Sequence, residues 1–141
     1  METYRAMRDR HQQEINSFPF MFAFNKKQFE EGMRKLGLEP TDTDKVYRLG
    51  NTGGYYRKTD SKQLAELMAR QGKEREEAIA ADKTGEGFIF DMFNTELANH
   101  EYCITLDPTD ALDALGLTIE EVNRDERMKN ALKEAMLANR F

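Results

Sequence analysis

At 141 residues, with 26 acidic and 21 basic side chains and a formal charge of −5, the chain has the size of one domain. Its charge argues against a general nucleic-acid binder that works by neutralising phosphates. One cysteine, Cys103, excludes an internal disulfide and a cysteine-based zinc site.

Residues 2–15 have the pattern of a polar amphipathic helix, with Tyr4, Met7, His11 and Ile15 near one face. The next stretch, 17–24, places Phe18, Phe20, Phe22 and Phe24 at alternate positions, which a strand would put on one side. That side is either a core or a binding floor. Because Pro19, Met21 and Ala23 make the other side apolar too, the expectation is a strand buried at the centre of the fold. Asn25 is placed to cap a helix over 26–36, with Phe29, Met33 and Leu36 inward and Gly37 as its stop. Val46–Leu49 and Tyr55–Lys58 flank Gly50-Asn-Thr-Gly-Gly54 and predict a hairpin over 46–58.

Thr59, Asp60 and Ser61 precede a long helix reaching residue 82, whose polar half from Gln71 to Glu77 allows a break at Gly72. Phe88 to Asn99 predicts a further helix. Residues 101–106, Glu-Tyr-Cys-Ile-Thr-Leu, predict a fourth strand. Asp107 or Thr109 can cap a short helix over 111–115. Thr118-Ile-Glu-Glu121 is a capping box before the last helix, which Asn123-Arg-Asp125 interrupts. The expected fold is therefore a single α+β domain over residues 1–141. It has a small, mostly antiparallel sheet of about four strands (17–24, the hairpin 46–58, and 101–106) covered by five to six helices.

Chemical signatures are sparse. Cys103 and His100 are close in sequence, but strand alternation would separate them and bury the cysteine, so no nucleophile is assigned. Asp107, Asp110 and Asp113 match no EF-hand spacing and suit a helix N-terminus, so no metal is assigned. The glycine-rich turn matches no phosphate-binding motif. No cofactor and no catalytic residue follow, and an enzyme is unsupported. The strongest interaction candidates are Tyr55, Tyr56, Arg57 and Lys58, with Asn51 at the turn, because exposed Tyr and Arg are common hot-spot residues. No run approaches the ~18 apolar residues of a spanning helix. The first residues also lack the apolar stretch of a signal peptide, so no membrane contact and a cytoplasmic location are expected.

Three segments carry a resemblance: the Phe strand leading into Asn25-Lys-Lys-Gln-Phe29, the Asn51-Thr-Gly-Gly54 turn, and Asn99-His-Glu-Tyr-Cys-Ile-Thr-Leu-Asp-Pro-Thr-Asp-Ala-Leu-Asp-Ala-Leu-Gly116. Over most of residues 16–122 the chain resembles a family of small uncharacterised proteins from phages and mobile elements of gut bacteria. The resemblance implies no reaction. It implies an accessory or anti-defence factor that binds a host or phage protein, as a CRISPR-type inhibitor does. The first functional expectation is thus a non-enzymatic interaction factor, monomeric or homodimeric, that blocks a basic host surface with the hairpin and acidic side chains. The alternative is a small-ligand or nucleotide-binding domain with an aromatic pocket, using His100, Arg57 and Lys58, with weak catalysis at His100. A third is a structural or oligomeric component of a mobile element.

Overall fold

The computed structural model describes residues 1–140. Those residues form eight α-helices and one three-stranded antiparallel sheet, an α+β fold. The chain divides into two compact units. A sheet unit spans His11–Gly72, and a helical unit combines Met1–Arg10 with the chain from Lys73 onward. Helix α1 (Tyr4–Ser17) and helix α3 (Ser61–Ala81) contribute residues to both.

In the sheet unit, β2 (Val46–Leu49) and β3 (Gly54–Arg57) form the expected hairpin, with Tyr47 opposite Tyr56 and Leu49 opposite Gly54. The turn uses glycine where the backbone is left-handed, at Gly50 (φ 52°) and Gly53 (φ 80°). Strand β1 (Met21–Phe22) lies on the other side of β3, with Met21 opposite Tyr55 and Phe22 opposite Gly54, giving the order β1-β3-β2. Helix α2 (Lys26–Lys35) starts where expected, because Asn25 Oδ1 accepts the Gln28 amide at 2.8 Å. It buries Met33 against Met21, Ala23 and Leu36.

The helical unit is built on α4 (Phe88–Asn99), whose Phe88, Ile89, Met92, Phe93 and Leu97 are buried. They meet Tyr4 and Met7 of α1, Ala111 and Leu112 of α6 (Thr109–Ala114), Val122 of α7 (Ile119–Asn123), and Leu132 and Ala135 of α8 (Glu126–Ala138). Thr118 caps α7: the Glu121 amide donates to Thr118 Oγ1, and the Thr118 hydroxyl donates to Glu121 Oε1, both at 3.2 Å, so the N-cap half of the expected box forms. The interruption before α8 is a second cap, in which Asp125 Oδ1 accepts the Arg127 amide at 3.0 Å.

Three expectations need correction. Residues 101–106 are not a fourth strand but carry the single helical turn α5 (Tyr102–Thr105), closed by the Leu106 amide on the Tyr102 carbonyl at 2.8 Å. Among the described residues no strand pairs with this segment, and only Tyr102 of the turn is buried, so its β-prone composition has nothing to pair with. Helix α1 runs on to Ser17, and the strand expected over 17–24 shortens to Met21–Phe22. The long helix expected to reach residue 82 does form, as α3, and it runs unbroken through Gly72. The phenylalanine ladder is not the centre of the fold: α2 covers the opposite face, so Met21 and Ala23 are buried while Phe22 and Phe24 face solvent.

Candidate functional site

Side chains directly opposite across an antiparallel pair share a face. The registers therefore put Met21, Arg48 and Tyr55 on one side of the sheet, and Phe22, Tyr47, Leu49 and Tyr56 on the other. The first side is covered by α2 at Met21 and Tyr55, while Arg48 on the far strand stays exposed. Tyr55 meets Phe29 edge-on, with ring centroids 5.3 Å apart, and the Arg48 guanidinium lies 5.9 Å from the Tyr55 centroid. Arg57 also works on this side, donating from Nε to Asp60 Oδ2 at 2.8 Å and from Nη1 to the Leu36 carbonyl at 3.2 Å. It ties the end of α2 to the turn before α3.

The second side is open. Phe22 and Phe24 are 54% and 77% exposed. Their rings lie over two adjacent glycines of the hairpin, Phe22 on Gly54 and Phe24 on Gly53, where no side chain intervenes. A run of rings extends from them. Phe22 stands 6.2 Å from Phe20, Phe20 stands 4.7 Å from Phe18 and 6.1 Å from Tyr56, and Tyr56 stands 5.8 Å from the exposed Tyr47. These separations suit edge-on and tilted aromatic pairing. Lys58 Nζ lies 5.0 Å from the Tyr47 centroid, a cation–π contact at the end of the run. Beside the rings runs a groove of about 380 Å³ between α1 and the β1 segment, floored by Ile15, Phe18, Phe20 and Phe22. A second groove, of about 440 Å³, follows the outer edge of β1 between Phe24 and Lys35.

The interaction residues expected from sequence therefore separate. Tyr56 and Lys58 belong to the open aromatic side, Asn51 is exposed at the turn tip, and Tyr55 and Arg57 belong to the side covered by α2. The exposed phenylalanines were missed as site residues. Their signal was the Gly53-Gly54 pair, which leaves room for large rings on a neighbouring strand.

His100 lies in the helical unit and is not brought together with Arg57 and Lys58 in one compact unit. It caps α4, with Nε2 3.4 Å from Glu96 Oε2. Glu96 is buried and also accepts from the Tyr4 hydroxyl at 3.0 Å and pairs with Arg8 Nε at 3.2 Å. Burial, together with the Glu96 charge, raises the Tyr4 hydroxyl well above its ordinary range, so it stays protonated and donates. The cluster satisfies a buried carboxylate and holds no activated nucleophile. Cys103, expected to be buried in a strand, is exposed because its segment is helical.

Among the described residues no group of three or more His, Cys, Asp or Glu side chains could hold a metal ion. Asp107 accepts the Thr109 amide at 2.9 Å and its hydroxyl at 2.6 Å, a turn contact that holds the carboxyl below its usual range. No helix of the described residues is long and apolar enough to cross a membrane.

No curated protein and no solved structure matches the chain. A family model described as a family of unknown function (DUF7659) matches residues 3–138, almost the whole chain. The chain belongs to that family.

Proposed function

We propose that this protein is a non-enzymatic interaction factor that docks a protein partner on the open aromatic side of its sheet. The observation that carries the reading is the exposure of Phe22 and Phe24 in line with Phe20, Tyr56 and Tyr47. A contiguous exposed apolar patch carries an aggregation cost, so it marks a surface that is covered in use. Aromatic rings beside one cation, with grooves on either side of a strand, match the composition and relief of a protein hot spot. The sheet unit holds ten Lys and Arg against eight Asp and Glu, a net +2, which is weak for phosphate-backbone binding.

The mode of action is steric. A factor of the kind found on phages and mobile elements would blunt a host machine by occupying the surface that machine needs. Because the contact is mainly apolar, it is expected to survive high salt, unlike a contact made by charges alone.

The test compares wild type with Phe22→Ser/Phe24→Ser in pull-downs from a lysate of the source organism at low and high salt. The expected result is a partner retained by wild type at both salts and lost by the variant. Phe24 is mostly in solvent and Phe22 about half, so a thermal melt checks that the variant still folds. A partner held equally by both proteins would remove the aromatic side from the reading.

The Tyr47–Lys58 pair favours one alternative, a nucleotide stacked on the open rings with Lys58 at its phosphate. Arg57 is unsuited to that role because Asp60 and Leu36 hold it. A nucleotide panel in thermal shift separates the two, since a ligand at 100 times its dissociation constant adds about 2.7 kcal/mol.

A further inference from the structure

The helical unit carries two complementary surfaces that the aromatic side does not use. The first is a groove of about 530 Å³ between α7 and α8. Ile119, Met136 and Leu137 give it an apolar wall, and Lys129, Lys133 and Arg140 line it with positive charge. These cations stand out against their surroundings. The helical unit holds eleven Lys and Arg against eighteen Asp and Glu, a net −7. From Thr84 to Asn123 the chain contains nine Asp and Glu and no Lys or Arg.

The second surface is the α5 turn. Ile104 is 75% exposed and Leu106 is 55% exposed. Glu101, Asp107 and Asp110, all exposed, flank them. Two non-glycine residues in the left-handed region, Glu101 (φ 54°) and Leu106 (φ 55°), bracket the turn. The Leu106 amide closes it on the Tyr102 carbonyl. The result is a fixed apolar knob ringed by carboxylates, which is the chemistry that an apolar groove ringed by ammonium and guanidinium groups accepts.

We propose that the chain forms a two-fold homodimer in which the α5 knob of each copy seats in the α7–α8 groove of the other. Tyr102 both starts the knob and lines the groove, so the two surfaces adjoin. Adjoining complementary surfaces close symmetrically: a two-fold axis between them satisfies both contacts at once and leaves no free end for further growth. The occupant is a second copy because the same unit displays the matching charge and the matching apolar side chains.

The test is the solution mass of the full chain, by light scattering and sedimentation over a range of concentrations at low and high salt. Wild type should run at twice the chain mass and dissociate more readily at high salt. Ile104→Glu should weaken association by roughly tenfold or more, a cost of about 1.4 kcal/mol. The groove variant Lys129→Glu/Lys133→Glu and the knob variant Glu101→Lys/Asp110→Lys should each be monomeric alone and form a heterodimer when mixed, because mixing restores opposite charges at both contacts. All these side chains are exposed in the monomer, and thermal melts check that each variant folds. A wild-type monomer at every concentration would overturn the proposal. So would a dimer that survives Ile104→Glu, a pair of reversed variants that fail to associate, or a dimer abolished by Phe22→Ser/Phe24→Ser alone.

Discussion

Asp82 follows the last turn of α3 and spends its whole carboxylate on the chain that comes next. Oδ1 accepts the Gly85 amide at 3.0 Å, and Oδ2 accepts the amides of Gly87 at 3.1 Å and Ile89 at 2.9 Å. Burial alone would raise its pKa, but these donations outweigh burial and hold it below the ordinary carboxylate range. A depressed folded-state value contributes stability above the unfolded pKa of roughly 3.9, and that stability is lost as pH falls through the folded value. Asp82→Asn keeps the shape and removes the charge. It should cost about 1–3 kcal/mol at neutral pH and flatten the acid limb of stability below pH ~4, measured by urea melts across pH. Equal acid limbs in the two proteins would show that Asp82 does not titrate with folding. Arg57 is a second residue whose role is structural. Arg57→Ala should cost about 1–3 kcal/mol, because it strands the buried Asp60 carboxylate. Lys58→Ala, whose ammonium only rests over Tyr47, should cost less than about 1 kcal/mol. Comparing the two melts separates the clamp from the surface cation.

Helix α2 can lie on the sheet only because Gly32 has no side chain: a Cβ there would run into Met21 Cγ and Sδ. Gly32→Ala should destabilise by about 1–3 kcal/mol through overpacking, even though alanine is the better helix former. Met21→Ala alone should also destabilise, by opening a cavity. The pair should cost less than the sum of the singles, since the smaller side chain makes the room the new methyl needs; additive costs in denaturant melts would show that the contact does not set the docking distance. This contact also explains what the sequence could not reveal about the phenylalanines. The alternation of residues 18–24 correctly marked two faces, but choosing the buried one needed the position of α2, and α2 selects the Met21 and Ala23 face. Local signals with strong stereochemistry were legible: the Asn25 cap, the Gly50–Gly53 turn, the Thr118 cap and the break at Asp125 all form. The run 101–106 was not legible, because its composition favours a strand and only the lack of a neighbouring strand makes it helical. The separation of the hairpin candidates, with Tyr56 and Lys58 open and Tyr55 and Arg57 closed, was visible as alternation but not as a direction.

The two units differ in how much apolar surface they bury, and that difference should set how the molecule opens. The helical unit centres on Ile89, Phe93, Leu97, Val122 and Ala135, all fully buried within a cluster that draws on α1, α4, α5, α6, α7 and α8. The sheet unit has a small buried cluster, Met21, Ala23, Met33 and Leu36, under three short strands. It also keeps several of its largest rings on the open side, where they are exposed or only half-buried. Regions with few buried contacts open at lower free energy than the core, and surfaces kept for binding come from that end of the scale. Native-state hydrogen exchange should therefore find the slowest amides in α4 and α8 and distinctly faster ones in β1, β3 and α2. Denaturant should leave the exchange of the sheet-unit amides nearly unchanged at concentrations where the α4 amides already accelerate, because small openings expose little surface and global unfolding exposes much. If a partner covers the aromatic side, its binding should slow the sheet-unit amides first. Uniform protection across both units, with one common denaturant slope, would instead mean that the chain opens as a single cooperative body and that the open rings are held as firmly as the core.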